Sequence, residues 1–349
     1  MTLPAAPDSS ALLTPASAPD LSDIRSPFRM ALRRFRRNPL AIVGTVIITL
    51  LVLICFGSLP WTLGPSSTEK NAPAVYENQD TAHVKKAPYW ANTGNPDDIL
   101  PDHARWMGTD GNGRDLRPRF LLGGAISLSI GICSALIAAF IGTSIGLIAG
   151  YAGGRTDALL MRFVDVLYGL PYILLVILMR VALIPFVIEI LHNHTFHLAG
   201  NTANLWANYL ILLVGIGAVS WLTLARVVRG QVLSLRQQPF VEAARALGFP
   251  AHRVLIRHIL PNLIGTVTVY ATLTVPAAIL SESFLSFLGL GIQPPLPSWG
   301  NLASDGMEAL NPVQLRWWLI IWPCMGLSLA LLALNFVGDG LREAIDPKA

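Results

Sequence analysis

Charge is what this sequence has least of. Only 13% of its 349 residues are Asp, Glu, Lys or Arg, about half the share of a soluble domain, while 53% are hydrophobic. Mean hydropathy is +0.53. The charge is missing from long runs rather than thinned evenly, which excludes an ordinary soluble domain and points to membrane-spanning segments. Lysine is rarer still: Lys70, Lys85, Lys86 and Lys348 are the only four. None follows a glycine, so the phosphate-reaching lysine of a P-loop is missing and no ATPase is expected within the chain. Cys55, Cys133 and Cys324 all fall inside apolar runs. With no CxxC or Cys/His ligand spacing, a disulfide framework and a zinc site are excluded, and the three read as small apolar residues. The first twenty residues, rich in Ala, Pro and Ser, lack the charged n-region and apolar core of a cleaved signal peptide, so a cytoplasmic tail is expected.

What remains is apolar and long. Six stretches reach the roughly 20 residues that a hydrocarbon core of about 30 Å requires of a helix. They are Pro39–Leu59, Ala125–Gly150, Ala158–Met179, Leu205–Val228, Leu263–Leu288 and Trp317–Val337. The third is expected to continue helically toward Leu191, beyond the bilayer. The fold class is therefore an all-α membrane protein with six transmembrane helices. Its parts are a tail with a basic amphipathic helix over 1–38, a first transmembrane helix over 39–59, an extracytoplasmic segment over 60–119, a transmembrane domain over 120–340 and a cytoplasmic tail over 341–349.

Net charge is +4, and the basic residues sit beside apolar runs, which argues for membrane orientation and against nucleic-acid binding. Arg25, Arg29, Arg33, Arg34, Arg36 and Arg37 precede the first span. Arg155 and Arg162 flank the start of the third. Arg226, Arg229, Arg236, Arg245, Arg253 and Arg257 lie at or between the facing ends of spans four and five, and Arg342 and Lys348 close the chain. Leu191–Asn204 has no Lys or Arg. Both termini and the fourth-to-fifth loop are thus expected in the cytoplasm. Phe28, Leu32 and Phe35 recur at helical spacing among the first arginines and predict a helix lying in the inner membrane surface.

Gly142, Gly146 and Gly150 repeat small-xxx-small in span two, so that face is expected to pack closely on another helix, in this chain or a neighbouring subunit. Pro171 and Pro276 are expected to distort spans three and five. Between spans four and five the chain reads Gln238-Pro-Phe-Val-Glu-Ala-Ala-Arg-Ala-Leu-Gly-Phe-Pro250. Pro239 suits a first helical turn, Glu242 sits near the positive helix end with Arg245 in pairing distance, and Gly248 supplies the stop. Phe240, Ala243, Ala244 and Leu247 make one apolar face. Such a small-residue helix either sits in another protein's groove or packs on its own membrane domain as a solvated loop.

Glu242-Ala243-Ala244, Gly248 and Leu260-Pro261 resemble the EAA signature of bacterial ABC importer permeases, and Glu242–Asn262 is similar to the oligopeptide/dipeptide group, C-type. Gly108-Thr109-Asp110-Gly-Asn-Gly113-Arg114-Asp115 resembles that family's GTDxxGRD motif. Ser286–Gly300, with Gly289, Gly291 and Pro294, resembles its outer segment after span five, and Gly338–Pro347 its C-terminal tail. The resemblance covers about residues 105–347. It implies a type I ABC importer permease fold and a multi-pass subunit of the bacterial inner membrane that imports peptides. Glu242, Ala243, Ala244 and Gly248 would then form the coupling element docked on an ATPase. The implied partners are a second homologous permease, two ABC ATPase subunits and an extracytoplasmic solute-binding protein, with ATP bound by the partners and no cofactor in this chain. Arg117-Pro118-Arg119 and Gly123-Gly124-Ala125 depart from the family's serine-arginine pair and aromatic-glycine-alanine-arginine run, and Leu183–Trp206 is longer than its norm. These differences leave nickel or another small solute as alternative cargo.

Asp165 and Glu282 are the intramembrane carboxylates, each a pathway or packing-partner candidate. Asp165 is placed to pair with Arg162; Glu282 lies among Ala277, Ala278, Ser281 and Ser283. Arg180 is expected to snorkel. His192, His194 and His197, without a nearby carboxylate or cysteine, read as a solvated loop rather than a metal site. A secondary transporter or channel would require organised mid-membrane charges and inverted repeats; only two such carboxylates and no internal repeat are found. A structural or receptor membrane protein is the third class.

Overall fold

The computed structural model describes residues 27–68, 72–91, 98–100, 105–190, 200–310 and 316–345. The expected tail up to residue 26, the His192/His194/His197 cluster and Lys348 lie outside them. Among the described residues, six helices are long and apolar enough to cross a membrane. α1 (Pro27–Phe35) and α2 (Pro39–Gly57) open the chain, and a short α3 (Leu59–Thr62) ends the first span. α4 (Leu116–Ala152) follows the long segment after α3, then α5 (Gly154–Tyr168), α6 (Tyr172–Glu189) and α7 (Gly200–Leu235). Two short helices, α8 (Pro239–Ala246) and α9 (Ala251–Val254), and a π-turn over Leu255–Ile259 lead into α10 (Leu260–Phe287). α11 (Trp299–Glu308) and α12 (Trp318–Ile345) complete it.

In lipid, association depends on close packing rather than on withdrawal from water, and the glycines of α4 show how this chain achieves it. A side chain at Gly142 would meet the Trp221 carbonyl at 2.9 Å, one at Gly146 the Ala225 carbonyl at 2.7 Å, and one at Gly150 Val232 at 2.7 Å. The partner of the small-residue face is therefore α7 of the same chain. Ile130 of α4, Leu212 and Ile216 of α7 and Leu285 of α10 are enclosed in the core so formed. α2 and α12 form a second pair, with Gly44 set against Ala333 and Gly340 against Ala41. Asn38 caps α2 through Leu40 and Ala41 and donates to Glu343 of α12 at 2.8 Å.

The third expected span is corrected. Ala158–Met179 is not one distorted helix but two, parted at Gly169–Pro171. Pro171 has no N–H to continue the ladder, and its carbonyl starts α6 by accepting from Leu175 at 3.1 Å. The membrane-length apolar helix is Tyr172–Glu189, so Asp165 on α5 precedes it. Pro276 lies within a continuous α10; the chain departs from α-geometry earlier, in the Leu255–Ile259 π-turn.

Candidate functional site

The α7–α10 connection folds as its punctuation dictates. Gln238 is extended, Pro239 takes the first helical turn, and α8 ends in a Schellman arrangement. There Phe249 N donates to the Ala244 carbonyl at 3.2 Å and Gly248 N to the Arg245 carbonyl at 2.9 Å, with Gly248 at φ +77°. Only glycine holds that conformation without strain.

Which face α8 buries differs from the expectation. Val241 (0% exposed) and Ala244 (3%) point inward, packed in one cluster with Val228, Val232, Val254, Ile259 and Leu263. Phe240 (42%) and Leu247 (75%) point outward, and Ala243 and Glu242 are exposed with them. Four apolar residues on an eight-residue helix do not share one buried stripe; Val241 and Ala244 hold the helix down while the other apolar groups stay uncovered. Arg245 does not pair with Glu242 but lies over the Tyr151 ring of α4, 4.8 Å from its centroid.

The base beneath α8 is cross-tied. Arg229 of α7 grips Asp157 of α5, its Nη2 donating to Oδ2 at 2.7 Å, and this guanidinium holds the Asp157 carboxyl below its usual range. Arg236 donates to the Gly150 carbonyl at 3.1 Å. These contacts tie α4, α5 and α7 together beneath α8, and the π-turn leads on into α10.

The GTDxxGRD segment sits at the other end of α4, about 55 Å away at 1.5 Å per residue. Asp110 Oδ1 accepts from the backbone N–H groups of Asn112 (2.8 Å) and Arg114 (2.9 Å), and Oδ2 from Arg114 Nε (2.8 Å). Arg119 Nε lies 3.3 Å from the same oxygen. All three charged residues are buried. Thr109 Oγ1 accepts from Lys86 N (2.9 Å) and donates to the His83 carbonyl (2.6 Å). Gly113, at φ +75°, is pressed on the Asp80 backbone, where any side chain would collide with the carbonyl. Asp115 caps α4 by accepting from Arg117 N at 2.9 Å. Gly108, Thr109, Asp110, Gly113, Arg114 and Asp115 thus clamp the segment between α3 and α4 to the head of α4.

The two carboxylates expected within the membrane part company. Glu282 is fully buried, accepting from Ser127 of α4 (2.9 Å) and Ser286 (2.7 Å); Ser127 in turn accepts from Trp299 N of α11 (3.3 Å). It is a packing centre joining α4, α10 and α11. Asp165 is exposed and pairs with Arg226 of α7 at 2.8 Å, not with Arg162. Arg180 donates to Asn208 at 2.9 Å. Pro261 occupies the first turn of α10. Gly289 turns the chain at φ +75°, Gly291 lies against Ser286, and Pro294 borders a cavity of about 330 Å³ beside Asp110 and Arg119. No group of metal-ligating side chains occurs among the described residues.

Residues 142–349 match the family described as the binding-protein-dependent transport system inner membrane component. Residues 26–88 match the N-terminal TM domain of oligopeptide transport permease C. The oligopeptide transport system permease protein OppC of Haemophilus influenzae is 41% identical over 324 residues, covering 93% of this chain and 89% of that protein. The dipeptide transport system permease protein DppC of Bacillus subtilis is 37% identical over 322 residues, covering 91% and 85%. A solved structure of the MetNI methionine ABC transporter, inward facing, is similar at a TM-score of 0.47 and 19% identity, over 65% of this chain and 96% of that one.

Proposed function

The chain belongs to the family of binding-protein-dependent transport system inner membrane components, and from that premise we propose that it imports peptides as the membrane-spanning permease subunit of an ATP-driven complex. It is a multi-pass protein of the inner membrane. The proposed assembly is this chain, a second homologous permease, two ATPase subunits that bind and hydrolyse the ATP, and an extracytoplasmic solute-binding protein. Both termini and α8 face the cytoplasm in this reading, as the arginine distribution favours. Peptide cargo is proposed from the oligopeptide and dipeptide permeases named above.

One observation carries the coupling role: α8 is fixed from behind by Val241 and Ala244 while Phe240, Ala243 and Leu247 remain uncovered. A loop helix that merely packed on its own domain would bury its largest apolar groups. The small Ala243 between two large ones suits a groove in a partner, and Glu242 and Gly248 set the helix's polarity and stop. The outer clamp would give the binding protein a rigid surface on the opposite face.

The test is coupling. Gly248→Val forces a β-branched residue into a left-handed conformation, at a cost of about 1–2 kcal/mol, without any neighbour for its side chain to strike. In a reconstituted complex, ATP hydrolysis by the variant should persist while peptide uptake falls. Unchanged uptake per ATP would remove the coupling role.

A further inference from the structure

Between the break in the third span and helices α7 and α10 lies a cavity of about 600 Å³ that neither α8 nor the outer clamp uses. Its wall carries Tyr172 of α6, Ser220 and Thr223 of α7, and Tyr270, Thr274 and Ser281 of α10. The rest of the lining is Leu, Val, Ala and one further Tyr; no charged residue takes part. Ser220 and Thr274 stand near the middles of their helices, so the cavity lies at the centre of the membrane domain. The nearby ion pair, Asp165 with Arg226, is closed upon itself at 2.8 Å and outside the lining.

The hydroxyls divide by what they have left to offer. Ser220, Thr274 and Ser281 donate to the carbonyls of Ile216, Tyr270 and Ala277 at 2.7, 2.7 and 2.8 Å. Their protons are spent and their lone pairs remain as acceptors. The Tyr172 hydroxyl is enclosed beside the Ser220 and Ser281 hydroxyls without meeting either in full hydrogen-bond geometry, and its proton can go to one of them or to a passing acceptor. The wall therefore offers neutral acceptors together with a donor.

Resting on the peptide-importer reading above, we infer that this cavity is the subunit's share of the cargo passage and that its neutral hydroxyl wall sets what may pass. A fixed charge in a low-dielectric passage holds opposite charges and repels like ones, whereas passage requires contacts weak enough to release. A wall of hydroxyls engages the amide donors and acceptors common to every peptide and discriminates little between their side-chain charges. Thr274, at the centre, is a specificity-determining residue in this account.

The experiment uses the reconstituted complex with its partner subunits and three tripeptides, Ala-Glu-Ala, Ala-Ala-Ala and Ala-Lys-Ala. Thr274→Asp and Thr274→Lys should each move the acidic-to-basic uptake ratio at least about tenfold from wild type, in opposite directions, because even at the dielectric of bulk water unit charges about 6 Å apart separate attraction from repulsion by that factor. Uptake retained with the ratio unmoved in both variants overturns the inference. Should the charged variants fail to assemble, Thr274→Cys decides. Reaction with a membrane-impermeant methanethiosulfonate reagent, slowed by tripeptide, supports the passage. An inert thiol, or one indifferent to peptide, overturns it. A wild-type complex that imports none of the tripeptides removes the importer reading itself, and this inference with it; a moved or unmoved ratio speaks only to the cavity.

Discussion

The two ends of α4 close the chain in opposite ways. At its head, the Gly108–Asp115 segment spends its polar groups within the chain. Both Asp110 oxygens are engaged by Arg114 and nearby backbone N–H groups, Thr109 bonds twice, and Gly113 leaves no space above Asp80. At its tail, α8 is held by two small apolar contacts and leaves Phe240, Ala243 and Leu247 open. A finished surface and an unfinished one on a single bundle teach where stability is supplied internally and where, on the coupling proposal above, a second protein would complete it. Mutations at the head should therefore act on the isolated chain, and those at the tail on the assembly.

The largest effect that would sharpen this contrast is at Asp110. Asp110→Ala leaves Arg114 buried without its carboxylate and Arg119 with only Asp305, at 4.0 Å, a change that costs about 3–5 kcal/mol. The detergent-purified chain should show a large drop in melting temperature; an unaltered value would break the comparison at the head. Arg245→Ala, at the tail, removes a contact with Tyr151 worth about 0.5–1 kcal/mol. It should barely move the melting temperature yet loosen α8, read as faster amide exchange over 239–249. Equal exchange in variant and wild type would show that α4 does not brace this helix.

The smallest effect concerns acid. Arg229 holds the folded Asp157 carboxyl below its ordinary value of 3.8. Its contribution is therefore complete above that value and is lost as pH falls through the lower folded one. Asp157→Asn should be less stable than wild type at neutral pH, and the gap should narrow on acidification below 3.8. A gap independent of pH would show that the ion pair carries none of it.

Much of this was legible in the sequence because membranes impose length and apolarity on every spanning helix. Pro239 and Gly248 announced the bounds of α8, and the Gly142/Gly146/Gly150 spacing announced a close packing face. What escaped depends on contacts remote in sequence. Ser127 and Glu282 are 155 positions apart, and no local pattern links them; the serines at 283 and 286 were the only available sign that this carboxylate is enclosed. Proximity in sequence points Asp165 to Arg162, whereas the break at Gly169–Pro171 sets α5 where Arg226 of α7 reaches it. The sequence offers α8 one apolar stripe, yet Val241 rather than Phe240 is buried, packed with Val228, Val232 and Leu263. That the larger residues stay open was readable only from the packing.

The account turns on whether the open face of α8 is where an ATPase subunit binds. Single cysteines at Ala243 and at Val241, in the complex with its ATPase subunits and a short bifunctional thiol reagent, test this directly. The account predicts a cross-link from position 243 to an ATPase subunit and none from position 241. A thiol at 243 that stays freely reactive toward soluble maleimide and forms no cross-link in the assembled complex would contradict it.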